Sequence, residues 1–113
     1  MHEMSIVASV LNIAEKEARS ADAQVIRTIE IEVGQLAGVE IPALEFGFEV
    51  ARRGTLAGEA ELIIHDIPGL GHCRECNKNV AIDSYIPICP TCGELVPEVL
   101  QGKELRVRSI IVD

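Results

Sequence analysis

The sequence predicts an α+β fold in which two helices cover a small three-stranded sheet and a four-cysteine subdomain is inserted before the last strand. Three observations support this fold class. Apolar residues repeat at helical spacing in two segments, and they alternate with polar residues in three others. Two Cys-x-x-Cys pairs lie in a segment with little periodicity. At 113 residues, of which 48% are hydrophobic, the chain can bury one core.

The two predicted helices differ in how clearly the sequence marks them. Residues 4–20 carry one apolar stripe at spacings of three and four, made by Ile6, Val7, Val10, Leu11, Ala14 and Ala18. A second helix is expected with Pro42 in its first turn, a position that suits proline. Its apolar positions are Ile41, Leu44, Phe48 and Ala51. Near Phe46 and Phe48 the same pattern is also compatible with a strand.

Three segments predict the strands of the sheet, namely residues 25–33, 59–66 and 104–112. Residues 25–33 alternate between apolar and polar side chains, as a half-buried strand with one solvated face does. The chain is expected to leave the α/β domain near Pro68 and to return near Gly102. We therefore predict an α/β domain over residues 1–68, completed by the strand at 102–113, and an inserted domain over residues 69–101.

Charge and termini restrict the class of protein. The net charge of −8 argues against partners such as nucleic acid and anionic membranes, because phosphate groups repel an acidic surface. No apolar run approaches the roughly 18 residues of a membrane span. The start, Met1 to Ser5, lacks the basic region of a signal peptide, so we expect a cytoplasmic protein. Disulfides are rare in that compartment, which makes paired cysteines candidate metal ligands.

The four cysteines form two Cys-x-x-Cys knuckles with twelve residues between them: Cys73, Cys76, Cys89 and Cys92. Zinc favours four thiolates at tetrahedral corners, and a closed set of four leaves no open position for catalysis. The segment is therefore predicted to be zinc-ribbon-like and structural, with residues 77–88 forming a hairpin between the knuckles. A redox dithiol or free core thiols would be the alternatives. His72 could replace a thiolate or tune the site, whereas His65 has no metal-spaced neighbour and is interpreted as structural.

The amino terminus is a second candidate metal site. The α-amine of Met1, the amide nitrogen and imidazole of His2, and the amide of Glu3 can form the planar nitrogen set that Ni(II) favours. Initiator methionine is normally removed only before a small residue, so Met1 should be retained. By spacing alone, a frayed terminal histidine is the more common interpretation.

Taken together, these residues resemble the HypA/HybF family of hydrogenase maturation factors. The resemblance covers essentially the whole chain, and the order and spacing of its motifs are specific. The motifs are Met1-His2-Glu3-Met4-Ser5, Glu32-Val33-Gly34, Gly38-Val39-Glu40, Leu44-Glu45-Phe46-Gly47-Phe48-Glu49, Gly54, Gly58, the two knuckles and the strand from Leu105 to Val112. No family detail is carried onto the stretch from Gly69 to His72.

The resemblance implies a nickel metallochaperone that is not an enzyme. It implies nickel binding at Met1, His2 and Glu3, with Glu40 as a nearby ligand, and zinc binding at the four cysteines. The implied partners are a HypB-type GTPase and the large-subunit precursor of nickel-iron hydrogenase, and in some organisms the client is urease. The sequence leaves open whether the chain forms a homodimer.

Two other classes of function are weighed against this one. A zinc-ribbon adaptor or nucleic-acid-binding module would need a basic face and stacking aromatics. This chain is acidic and has one Tyr, two Phe and no Trp. An enzyme would need a nucleophile–base pair, a phosphate loop or an open metal site, and the sequence presents none of these motifs.

Overall fold

The computed structural model describes residues 3–84 and 86–113 and confirms the predicted α+β class. Its elements are α1 (Glu3–Ser20), β1 (Ile26–Gly34), α2 (Ile41–Ala51), β2 (Glu61–Ile67), β3 (Leu70–Cys73), β4 (Lys78–Ala81), β5 (Glu98–Gln101) and β6 (Leu105–Val112). One three-stranded sheet has the order β2-β1-β6, and the other has the order β4-β3-β5. Among the described residues, neither helix combines the length and the apolar character that a membrane span requires.

The first sheet is mixed. The amide of Gln35, just after β1, donates to the carbonyl of Ile67 at the end of β2, so these two strands finish at the same edge and run parallel. Val25 and Asp113 exchange backbone hydrogen bonds at the opposite end of β1, so β6 runs antiparallel to it. A parallel pair needs a crossover connection, and α2 lies within it.

The helices bury the faces that the sequence predicts. All six apolar positions of the α1 stripe are buried. In α2 the buried residues are Leu44, Gly47 and Phe48, while Phe46 is 71% exposed. The segment near Phe46 and Phe48 is therefore helical, and the alternative assignment of this segment to a strand is wrong. One small space in the core is lined by Val7, Val10, Ile31, Leu44, Phe48 and Leu62. Burial of one such large apolar side chain contributes about 1.5–3 kcal/mol to folding.

The chain separates into two compact units. The first contains the chain up to Glu32, Val39–His65 and Arg106–Asp113, and the second contains Val33–Gly38 and Asp66–Leu105. Residues 33–38, which the predicted boundaries assigned to the α/β domain, belong to the second unit because Leu36 packs against its core and donates its amide to the Gly102 carbonyl. Independent folding of either predicted domain stays a prediction.

The hairpin predicted over residues 77–88 is wrong. β4 pairs with β3, with Cys73 opposite Lys78, so the first knuckle lies in the turn of a hairpin that begins at Leu70. A single antiparallel bridge between Ile88 and Leu95 flanks the second knuckle in the same way. Each knuckle therefore has its own turn. Short β segments in this region are set by backbone pairing around the cysteines rather than by a period-2 pattern.

Gly69 lies at a close backbone approach in the second unit. Its carbonyl accepts the amide of Ile82 at 3.0 Å, and a Cβ atom at Gly69 would lie 2.0 Å from the carbonyl oxygen of Ile82. No real Cβ tolerates that distance, and the contact is with backbone, which cannot rotate away as a side chain can. The chain can enter this unit along its present path only with glycine at position 69.

Gly69→Ala is expected to destabilise the second unit by about 3 kcal/mol, at the upper end of what overpacking costs. The matched control is Gly58→Ala, where the nearest atom to an added Cβ lies 3.4 Å away. That control should change stability by no more than about 0.5 kcal/mol. Thermal unfolding of the metal-loaded proteins measures both, and equal melting temperatures for the two variants would contradict the argument.

His65 lies in β2 and pairs with Glu30 of β1, with 2.7 Å between Nε2 and Oε1. The hydroxyl of Ser109 in β6 donates to the other carboxylate oxygen at 2.8 Å. The hydrogen bond from His65, followed by that from Ser109, lowers the pKa of Glu30 below its ordinary value of 4.5. The structural interpretation of His65 agrees with this arrangement, which links all three strands of the first sheet.

This lowered pKa predicts acid sensitivity. The folded state holds Glu30 ionised more strongly than the unfolded state does, so its contribution is present above pH 4.5 and is lost as the pH falls through the lower folded value. Glu30→Gln should therefore flatten the loss of stability on acidification. Glu17→Gln, on the exposed face of α1, is the control and should follow the wild type. Chemical denaturation at a series of pH values from 6 to about 3 measures the slopes. Parallel slopes for Glu30→Gln and the wild type would contradict the prediction.

Candidate metal centre

The structure brings the four cysteine sulfurs together. Their ligand atoms lie within 4.8 Å of one another, and in the described chain they form the one group of three or more His, Cys, Asp or Glu side chains close enough to hold an ion. The two knuckle turns supply them from opposite sides. Asn77, directly after the first knuckle, adopts a left-handed backbone with φ 51°, which asparagine tolerates better than most residues. In the second turn, the Gly93 amide donates to the Cys89 carbonyl at 2.9 Å.

The sulfur positions fit a tetrahedral zinc ion. A regular tetrahedron with Zn–S bonds of about 2.3 Å has sulfur–sulfur edges of about 3.8 Å. The Cys73 and Cys92 sulfurs lie 3.6 Å apart, and those of Cys76 and Cys89 lie 3.9 Å apart. Neither distance is that of a disulfide, and all four cysteines are free. The residues present therefore suit zinc on four thiolates.

The thiols influence one another's protonation. The backbone amide of Cys92 donates to the Cys89 sulfur and lowers the pKa of Cys89 to about 6. Hydrogen bonding to the Cys92 thiol, together with burial, raises the pKa of Cys76 to about 12. Four sulfurs at these distances cannot all be thiolates without a cation between them. Binding a metal dication would therefore displace protons from the cluster.

The site is closed and half-buried. Cys73 and Cys89 belong to the core of the second unit with Val80, Ile82 and Val96, while Cys92 is exposed. This core has few members, so burial alone contributes little, and a metal cross-link would supply what the core lacks. With four protein ligands there is no position for a substrate or a water molecule. The arrangement can hold an ion and fix a fold, and it is not built to do chemistry on one.

His72 is not part of the sulfur group. It lies opposite Asn79 across the β3–β4 pair, and its Nδ1 atom is 3.0 Å from the Asn79 side-chain oxygen.

An ion pair that the sequence did not reveal joins Arg74 of the first knuckle to Glu98 of β5. Arg74 lowers the pKa of Glu98 through this bond. The one feature of the sequence that pointed to this ion pair was a charged residue between two cysteines, and that feature does not identify its partner.

The amino-terminal candidate site is described in part. Met1 and His2 lie outside the described residues. Glu3 is the first residue of α1, and its Oε2 atom accepts the backbone amide of Glu40 at 3.4 Å. Glu40 is the N-cap of α2. The start of α1 and the start of α2 therefore lie side by side, which places two of the predicted nickel residues next to each other.

The fold and the sulfur cluster define a class of protein: a small α+β metal-binding protein that carries a ribbon-type four-cysteine centre. Comparison with known proteins identifies the family. The family described as "Hydrogenase/urease nickel incorporation, metallochaperone, hypA" matches residues 1–112. The chain belongs to this HypA family of nickel metallochaperones and hydrogenase maturation factors.

Curated relatives match over nearly their whole length. The hydrogenase maturation factor HypA of Alkalilimnicola ehrlichii is 44% identical over 113 residues, which is 100% of both chains. That of Parabacteroides distasonis is 39% identical over 112 residues, covering 99% of this chain and 97% of the relative. Among solved structures, the solution structure of the Ni metallochaperone HypA from Helicobacter pylori superposes with a TM-score of 0.70 at 24% identity, covering 99% and 97% of the two chains. That likeness supports the fold.

Proposed function

We propose that this protein binds Ni(II) at its amino terminus and delivers it for the maturation of nickel-iron hydrogenase, and of urease where that is the client. The observation that carries the proposal is the family match from residue 1, which includes Met1, His2 and Glu3. The donors are the Met1 α-amine, the amide and imidazole Nδ1 of His2, and the amide of Glu3. Two deprotonated amides would neutralise the charge of Ni(II), which suits a planar nitrogen site.

The described part of the site supports this donor set. The first four amides of an α-helix have no carbonyl partner within the helix, and Glu3 is the first residue of α1. Its amide nitrogen is therefore not needed for the helix ladder. The Glu3 carboxylate is directed to the Glu40 amide, so its backbone rather than its side chain is the better nickel donor. Glu40 is proposed as a residue beside the ion.

The two metal sites have different tasks in this proposal. Zinc on Cys73, Cys76, Cys89 and Cys92 holds the second unit together, since a closed thiolate cage releases its ion with difficulty. Nickel at the terminus is cargo, held by few ligands that can be exchanged. We further propose that the protein has no turnover of its own and that it works in the cytoplasm, where thiolates stay reduced.

The proposed partners follow from membership of the hydrogenase maturation machinery. They are a HypB-type GTPase and the large-subunit precursor of the hydrogenase. A role in nucleic-acid binding is disfavoured by the net charge of −8 and by the scarcity of aromatic residues.

The test of the proposed function is a metal count on purified protein with a native amino terminus. We expect one zinc per chain as isolated and one further metal ion after titration with nickel. His2→Ala should keep the zinc and lose the tightly bound nickel. Wild-type protein that binds no nickel beyond the zinc stoichiometry would overturn the proposal.

A further inference from the structure

The outward face of α2 is unusually apolar for a helix on the surface of an acidic protein. Phe46 is 71% exposed and Val50, one turn later, is 44% exposed. Ala43 precedes Phe46 by three residues and is also exposed. At about 100° per residue, these three side chains lie within about 60° of one another around the helix. The chain has only two phenylalanines, and one of them points into solvent on this stripe.

The apolar stripe continues toward the start of α1. A Cβ atom at Gly47 would lie 2.8 Å from the Met4 sulfur, so Met4 rests directly on α2 beside the stripe. Met4 is itself 52% exposed. Its neighbour Glu3 accepts the amide of Glu40 at the beginning of α2. The stripe therefore borders the chain segment that leads to the proposed nickel ligands.

The other border of the stripe is acidic. Glu45 and Glu49 of α2 and Glu61 of β2 line, with Phe46, a shallow pocket of about 400 Å³. Arg52 is also in its wall, but the guanidinium is used internally, donating to the carbonyls of Gly58 and Ala60 and pairing with Glu49. Among the described residues, neither Glu45 nor Glu61 forms an ion pair. Arg53, just beyond the helix, adds one positive charge at the far end.

We propose that this face of α2, defined by Ala43, Phe46 and Val50 with Glu45, Glu49 and Glu61 on its rim, is the docking surface for the protein that exchanges nickel with this one. The partner presents an apolar pocket for Phe46 and lysine or arginine side chains opposite the carboxylates. An exposed aromatic residue at the centre of a polar rim is the usual anatomy of a binding hot spot.

The acidic rim indicates which class of partner can bind this face of α2. A second copy of this chain packed face to face would bring two sets of Glu45 and Glu61 together, and like charges across an interface are unfavourable. Phosphate groups of nucleic acid or of an anionic membrane would meet the same carboxylates. A basic protein surface satisfies both the apolar stripe and the rim. The identity of that partner as a nickel-exchange protein rests on the proposed function, whereas its chemistry rests on the surface.

The test measures binding of two purified probes, the HypB-type GTPase and the hydrogenase large-subunit precursor of the same organism, by calorimetry with native amino termini. Phe46→Ser should raise the dissociation constant for at least one probe about 30-fold, as loss of a hot spot does. Glu45→Lys should weaken the same complex about tenfold at low salt and less at high salt, because screening reduces rim electrostatics.

Matched controls lie on α1. Ile13, which is 44% exposed, gives Ile13→Ser, and the exposed Glu17 gives Glu17→Lys. Both should bind within about twofold of the wild type, since surface residues outside a hot spot contribute little. Zinc content and nickel titration of each variant show that folding and cargo binding are intact.

Three outcomes would overturn the docking surface. One is a Phe46→Ser variant that binds both probes within twofold of the wild type. Another is an Ile13→Ser variant that loses as much affinity as Phe46→Ser does. The third is a wild type that binds neither probe in either nickel state. If the wild type nonetheless takes up nickel at its terminus, the proposed metal function stands in each case. A wild-type protein that binds no nickel would instead contradict the proposed function.

Discussion

Replacement of Cys73 by Ala is expected to unfold most of the second unit, residues 66–105, while the first unit stays folded. Cys73 is at once a proposed zinc ligand and part of the small core with Val80, Ile82, Cys89 and Val96. Structural zinc in small finger peptides contributes roughly 10–16 kcal/mol, far more than so small a core can supply. The first unit has its own core, in which Phe48, Ile29 and Leu44 are fully buried.

Backbone amide NMR spectra of wild type and variant, with zinc analysis, measure this effect. We expect one zinc per wild-type chain and none tightly held by the variant, with collapsed signal dispersion for residues 66–105 and native dispersion for the first unit. His72→Ala is the matched control, because it changes the neighbouring side chain outside the sulfur group. It should keep both zinc and dispersion. A zinc-free variant whose second unit stays ordered would show that the metal does not hold this fold.

The elements of the first unit could be predicted because their periodicity is strong. The α1 stripe of residues at spacings of three and four is buried as expected, and β1 alternates in burial from Thr28 to Val33. Pro42 correctly indicated the start of α2. Each of these segments is long enough for its pattern to exceed chance, which is why the existence and type of the elements followed from the residues alone.

The second unit was predicted only in outline. The cysteine spacing predicted that the four sulfurs come together, since two-residue spacers can bring paired thiolates to one ion. β3, β4 and β5 have four residues each, too few for a period to be recognised. Their positions depend on close backbone contacts such as that between Gly69 and Ile82. Contacts of this kind join residues distant in sequence and leave no local pattern.

The hydrogen bond between the Glu3 carboxylate and the Glu40 amide could not be predicted from the sequence either. The resemblance placed Glu40 near the metal site, but a residue at the N-cap of α2 and one at the start of α1 meet only through tertiary packing. The sequence could suggest the nitrogen donors because they are consecutive in the chain. It could not show that the Glu3 carboxylate accepts the Glu40 amide.

His2→Ala is expected to have the second large effect, a loss of nickel affinity of more than about 100-fold. Removal of an outer-shell partner of a metal site costs about 10–100-fold, and a direct ligand should cost more. Zinc content and fold should not change, because the substitution leaves the four cysteines and the buried stripe of α1 in place. Glu3→Ala should do less, since its amide is retained. Affinity should also fall as the pH drops, because protons compete for the amine, the amides and the imidazole.

The competition titration that measures this effect uses wild type, His2→Ala and Glu3→Ala in the presence of bound zinc. Glu17→Ala, on the exposed face of α1, serves as the control for general changes in surface charge. Nickel affinity that is equal in His2→Ala and in the wild type would remove the imidazole from the site. A loss in Glu3→Ala as large as that in His2→Ala would show that the carboxylate, not the amide, is the donor.

The central claim, that nickel is held by the free amino terminus, is tested most directly by extending the chain before Met1. An extension converts the α-amine into an ordinary amide and leaves His2, Glu3 and all four cysteines in place. Calorimetric titration with nickel compares the untagged protein, the amino-terminally extended protein and a carboxy-terminally tagged protein. We predict that the extended form binds nickel about as weakly as His2→Ala, while the carboxy-terminally tagged form matches the untagged one. Equal, tight nickel binding by the extended and untagged proteins would contradict the account.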